Sequence, residues 1–193
     1  MDNEVKLLLK KEKQAIVETM AFMAYNPSIG RVMQKDGVTL FQDMASKNVK
    51  KLSNIISASE FDKFHKNWMK NFISKIKRNK GLVCSYGQAQ KAINVFLKLY
   101  VDWAKLPKRS ISRKIRSYLH VPIDKILMKE IIKKYPNFYQ KTIKQYKKGN
   151  YNHSLSKIGE EEYYKWQCLF RSQFPTKPLI FDVIWALNRK SGG

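Results

Sequence analysis

The sequence predicts an all-α domain, and three observations lead there. Apolar residues recur at spacings of three and four along most of the chain, Pro and Gly fall between those runs, and no stretch alternates apolar with polar as a half-buried strand does. At 193 residues, with 44% hydrophobic and 12% aromatic side chains, the chain is sized for one domain with ample material for a core and room for two lobes.

Each helix follows from its own run. Val5, Leu8, Leu9, Ala15, Ile16, Met20 and Met23 describe a first helix ending before Asn26-Pro27. Gly37 and Val38 lead into a second, with Leu40, Phe41, Met44, Val49 and Leu52 on its buried face. Ser57-Ala-Ser-Glu60 reads as a capping box opening a third through Phe61, Phe64, Trp68, Phe72 and Ile76. A loop over Asn79 to Gly87 precedes a helix through Ala89, Ile93, Phe96, Tyr100 and Trp103. The cation-dense stretch from Leu106 to Arg116 is expected as surface loop and turn, and Pro122 as the first residue of a helix that stops near Tyr135-Pro136. A polar stretch to His153 follows. Ser156-Lys-Ile-Gly-Glu160 then starts a helix through Tyr163, Trp166 and Phe170, and Pro178 starts a last one ending around Arg189.

Charge is the outlier. Lys and Arg number 38 against 15 Asp and Glu, a formal net charge of +23, and self-repulsion on that scale points to a polyanionic partner. No run approaches the roughly 18 to 20 apolar residues of a membrane span. The start lacks the basic-then-apolar order of a secretory signal, and two cysteines, Cys84 and Cys168, are too few for a disulfide framework, so a cytoplasmic, nucleoid-associated location is expected. The three histidines are scattered singly, so neither a metal nor a cofactor is implied. G-x-S-x-G, G-x-x-x-x-G-K-[ST] and H-E-x-x-H are all missing, which removes the reaction classes built on them.

Two segments remain that carry chemistry. Gly87-Gln-Ala-Gln-Lys91 sets a glycine at a helix mouth, a place suited to a DNA phosphate, and a lysine one turn inside, where the positive helix end favours the neutral amine that a nucleophile needs. Leu119-His-Val-Pro-Ile-Asp124 sets a carboxylate in the first turn of the next helix, where the dipole keeps it ionised. The two positions lie 33 residues apart, enough for one helix and a return to the same cleft. Lysine with aspartate is minimal equipment for removing a base through an imine.

These segments resemble the helix-hairpin-helix DNA glycosylases. The resemblance rests on Gly87-x-x-x-Lys91 followed by Val95-Phe-Leu-Lys98, on Val121-Pro-Ile-Asp124, and on the ending Pro178-Leu-Ile-Phe-Asp-Val-Ile-Trp185, and it covers roughly residues 80–190. It is closest to the archaeal type of 8-oxoguanine glycosylase/lyase. It implies a two-lobed fold with an interlobe cleft, one helical lobe over about 1–78 plus the C-terminal helices and a hairpin and catalytic lobe over about 79–135. Lys91 would be the nucleophile and Asp124 its acid/base partner, excising an oxidised purine or a modified phage-type cytosine from double-stranded DNA after base flipping, with strand cleavage as an optional second step. No cofactor, membrane or protein partner is implied, and a monomer is expected.

Around that pair, Tyr86, Gly87 and Gln88 of the hairpin and Lys108, Arg109, Arg113, Lys114 and Arg116 of the basic stretch are the expected DNA contacts. Trp68, Trp166, Asp182 and Trp185 are candidates for the base pocket, the alternative for each being core packing. Trp103 and Tyr86 join the aromatic side chains able to stack on an everted base. Two competing functions stand beside the glycosylase: a non-catalytic basic DNA- or RNA-binding module, and a cationic membrane-surface protein.

Overall fold

The computed structural model describes residues 3–144, 154–183 and Leu187. It is all-α, with no strand among the described residues. Eight α-helices are described: α1 (Asn3–Ser28), α2 (Gly37–Val49), α3 (Ala58–Lys75), α4 (Tyr86–Leu97), α5 (Arg109–Ile115), α6 (Lys125–Lys134), the short α7 (Pro136–Phe138) and α8 (Glu160–Gln173). π-helical turns follow α4 over Lys98–Trp103 and α7 over Tyr139–Ile143.

Helix α4 is the axis of the fold. It packs against α1, α3 and α8, and ten of its twelve residues are buried, the exceptions being Lys91 and Val95. Ala89, Ala92, Ala21 and Ala24 are fully buried, and their small side chains let helix backbones approach closely. Phe41 of α2 anchors the aromatic part of the core, its ring centroid 5.6 Å from Tyr25, 5.3 Å from Phe72 and 6.1 Å from Phe96. The buried apolar side chains form one continuous core from Val17 to Phe181. Filling it with rings of this size contributes roughly 1.5–3 kcal/mol of hydrophobic stabilisation per buried side chain.

Several expectations about elements are corrected. Helix α1 runs two residues past Asn26 with Pro27 inside its last turn, and its buried face begins only at Val17, since residues 3–16 are exposed all round. Helix α4 begins at Tyr86, so that Tyr86 and Gly87, expected as the end of the preceding loop, are its first two residues. Ser85 and Gln88 form a complete capping box there, which the glycine-flanked loop conceals. The basic stretch from Leu106 to Arg116 contains helix α5 rather than loop alone. Pro122 does not start a helix: residues 119–123 are non-helical, and α6 begins at Lys125 with Asp124, in extended conformation, as its N-cap. After Pro178 the described chain makes a 3-10 turn, Pro178–Phe181, and the rest of the expected last helix lies mostly outside the described residues.

A polar network crosses this apolar core. Asp62 receives both guanidinium nitrogens of Arg171 at 2.8 and 2.7 Å, and an ionised carboxylate only accepts, so His120 Nε2 donates to it at 2.8 Å. That leaves His120 Nδ1 to accept from the Tyr163 hydroxyl at 2.7 Å. His65 Nε2 then donates to Asn94 Oδ1 at 2.7 Å. Burial pushes the His120 imidazole down to about 4, and burial likewise holds His65 well below its usual value. Burial alone would raise the Asp62 carboxyl, but hydrogen bonds from His120 and Arg171 outweigh it and hold the group well below the carboxylate range.

Acid destabilisation follows. Between about pH 4 and pH 6.5 the unfolded chain binds a proton at His120 that the folded protein refuses, so stability declines as pH falls through that window, by roughly 3 kcal/mol from this group. Below the ordinary carboxylate range Asp62 adds a further loss. Urea unfolding at pH 7.5 and pH 4.5 is expected to give a lower midpoint at the acid pH, and His120→Gln is expected to flatten the difference.

Candidate active site

Lys91, Val95 and Lys98 occupy positions i, i+4 and i+7 of α4 and its π-helical extension, one stripe on an otherwise buried surface. The stripe forms one wall of a cleft of about 400 Å³. The end of α1 (Asn26, Pro27, Ser28), Arg31 and Asp182 complete the lining. That volume falls within the 300–1,000 Å³ usual for small-molecule sites.

Each of the two lysines in this wall is held in an ion pair. Lys91 Nζ lies 2.8 Å from Asp124 Oδ2, the side chains 13% and 12% exposed. Lys98 Nζ lies 2.6 Å from Asp182 Oδ2 with similar burial. Asp124 divides its oxygens: Oδ1 accepts the Leu127 amide at 2.9 Å, capping α6, while Oδ2 takes the lysine. The carboxylate is thus oriented by a helix start and also favoured by its dipole.

The backbone before Asp124 is fixed by side chains. Gln90, the neighbour of Lys91, accepts the Ile123 amide at 3.1 Å and donates to the Ile123 carbonyl at 2.7 Å. Gln167 of α8 does the same for Val121, at 2.8 and 2.9 Å. Each carboxamide copies the donor and acceptor of a peptide unit, so the non-helical segment is paired as in a ladder without a second strand.

The other expected contacts divide sharply. Tyr86, Gly87 and Gln88 are buried and are not a phosphate grip. The Gly87 amide donates to the Ile158 carbonyl at 3.2 Å, and a Cβ at Gly87 would collide with the Leu155 carbonyl, so the turn over Leu155–Lys157 seals this helix mouth. Glycine serves that close approach. The Gln88 side chain accepts the Ser85 amide at 3.0 Å, and the Tyr86 hydroxyl donates to Tyr164. Lys108, Arg109, Arg113 and Lys114 are exposed, whereas Arg116 is half-buried with Nε 4.0 Å from Asp102 Oδ1. Trp68 and Trp166, 2% and 0% exposed, belong to the core, and neither lines the cleft beside Lys91. Asp182 lines the cleft, and Trp185 lies outside the described residues.

Lys98 and Arg31 are cleft residues to which sequence reasoning assigns no role. For Lys98 a signal exists: it shares the helical stripe of Lys91, and both interrupt an apolar run. Arg31 comes from a turn after α1, and no local pattern ties it to α4. Among the described residues no group of three or more His, Cys, Asp or Glu converges as metal ligands would.

The double duty of Asp124 separates two variants. Asn caps helices as well as Asp, whereas Ala does not. Asp124→Ala is therefore expected to lower unfolding stability by about 1 kcal/mol more than Asp124→Asn does, measured by urea denaturation. Equal losses would mean that the cap contributes nothing. In comparisons with known proteins, no protein-family model, no curated protein and no solved structure matches this chain.

Proposed function

We propose that the Lys91–Asp124 pair is the reactive centre of a DNA glycosylase that removes a modified or damaged base from double-stranded DNA, an oxidised purine such as 8-oxoguanine or a modified cytosine. The observation that carries this reading is an amine on the wall of a cleft of about 400 Å³, paired at 2.8 Å with a carboxylate behind it, each side chain about one-eighth exposed. The exposed cations of α5 supply phosphate contacts that hold the duplex while the nucleotide swings out.

Lys91 must shed a proton before it attacks, and Asp124 Oδ2 is the group in place to take it. The amine bonds to the sugar C1′ as the bond from C1′ to the base nitrogen breaks, and the departing base leaves protonated. Opening of the sugar ring gives an imine between Nζ and C1′. Water hydrolyses the imine to an abasic site and free Lys91. If the C2′ proton and the 3′ phosphate depart first, the strand is cut.

Borohydride reduces an imine to a stable amine, so it traps the intermediate. Native protein incubated with oligonucleotides carrying oxidised purines, alkylated purines, uracil or modified cytosines is expected to give a covalent adduct with at least one of them, and Lys91→Gln none. Asp124→Asn is expected to bind equally well while forming adduct about 10²- to 10⁴-fold more slowly. Salt-sensitive binding with no adduct and no base release from any probe would leave the non-catalytic nucleic-acid module, which the cationic surface of α5 also suits. On either outcome, Arg109→Gln and Arg113→Gln are each expected to make the slope of log affinity against log salt shallower by about 0.9, the increment of a single neutralised phosphate.

A further inference from the structure

The tryptophans separate by environment. Trp68 and Trp166 are core residues, whereas Trp103 is 63% exposed. Trp103 closes the π-helical turn that extends α4, and the Lys98 ammonium lies 4.8 Å from its ring centroid. Lys98 is the same residue that lines the cleft and pairs with Asp182, so the indole is joined to the rim of the site by contact as well as by sequence. A cation over the ring face is attracted to it and favours this placement of the exposed side chain. A few residues on, Lys108 and Arg109 are exposed at the start of α5, so the open ring stands in chain order between the cleft and the cationic helix.

We propose that Trp103 is a nucleobase-stacking platform beside the cleft, taking the flat face of an unpaired base next to the nucleotide drawn toward Lys91. This rests on the nucleic-acid reading of the cleft and adds a second point of contact to it. Every base offers a π-face, so such a platform is indifferent to sequence but requires an unstacked base, and the neighbouring cations hold the phosphates on either side. A base enclosed in an intact duplex has no free face to offer. The site is therefore selective for local unpairing, the state that extrusion of a nucleotide creates.

The test measures binding of fluorescein-labelled oligothymidine, of a duplex with one base opposite an abasic-site analogue, and of a fully paired duplex. Trp103→Ala is expected to weaken the first two by roughly 5- to 100-fold. Trp103→Phe, which keeps a ring, is expected to lose much less. Binding to the paired duplex and the salt slopes are expected to stay unchanged, since every phosphate contact is kept. Oligothymidine is also expected to quench the native tryptophan fluorescence more than that of Trp103→Phe, a readout that does not depend on the alanine variant folding. Equal weakening on the paired duplex, no weakening on oligothymidine, equal quenching of native and Trp103→Phe protein, or failure of the native protein to bind oligothymidine would overturn the proposal. Base release assayed on the same preparations keeps the two readings apart. Release with no effect of Trp103→Ala removes the platform alone, while an effect on binding without release removes the glycosylase chemistry and leaves the platform standing.

Discussion

Two glutamines hold the site together. The non-helical residues 119–123 run through the interior without a partner strand, and a buried peptide group left unpaired costs about 1–3 kcal/mol. Gln90 and Gln167 satisfy the amides and carbonyls of Ile123 and Val121 from opposite sides. Asn94 donates to the Val121 carbonyl, to Gln90 Oε1 and to the Tyr163 hydroxyl, which ties these contacts to His120, Asp62 and Arg171. Helices α3, α4 and α8 thus share one set of hydrogen bonds around a single segment. Such a network rewards full satisfaction and penalises any gap, which favours one arrangement of the helices over near alternatives.

The same constraint places the Lys91–Asp124 pair. Lys91 follows Gln90 in α4, and Asp124 follows Ile123 in the clamped segment, so the hydrogen bonds between Gln90 and Ile123 also bring the next two side chains together. Asp124 then caps α6 and cannot turn away without losing the Leu127 amide. The lysine and aspartate meet because their neighbours are locked, not because their own attraction gathers the chain. An ion pair of two partly exposed groups is too weak an interaction to organise a fold.

Much of this is legible in the sequence and some of it is not. The spacing of apolar residues predicts the helices. A glycine, a lysine and a Val-Pro-Ile-Asp turn suggest the pairing of Lys91 with Asp124, and the fold brings the two side chains together. Gly87 misleads because a glycine at a helix start serves two opposite purposes, admitting a ligand or admitting the protein's own backbone, and only the position of Leu155, 68 residues later, decides between them. Trp68 and Trp166 are ambiguous for a related reason: a ring at helical spacing faces a core or a pocket depending on what the opposite helix presents. The polar clamp is invisible, since glutamine at positions 90 and 167 is ordinary helix composition until a buried non-helical segment is laid beside it. Helix α5 is hidden by charge, because cations on consecutive turns suggest a solvated loop unless Ile111 and Ile115, four residues apart, are weighed as its inward face.

Charge placement distinguishes the cleft from the surface of α5. Acidic residues are scarce, and four aspartates act as internal counter-ions: Asp62 for Arg171, Asp102 for Lys105, Arg116 and Lys177, Asp124 for Lys91, and Asp182 for Lys98. The two cleft lysines are therefore compensated, and a phosphate entering there would meet two carboxylates within a few ångströms of the amines it seeks. The exposed cations of α5 form no ion pair among the described residues, and neither does Arg31 at the edge of the cleft, so the uncompensated charge lies on α5 and at that one cleft position. On the proposed nucleic-acid reading, phosphates would be drawn to α5 and to Arg31, and the part of the cleft walled by the two paired lysines would suit an uncharged group able to lie against Val95. A nucleobase has that character and a phosphate does not, so on that reading the electrostatics would separate the backbone of a polyanion from the one base it presents.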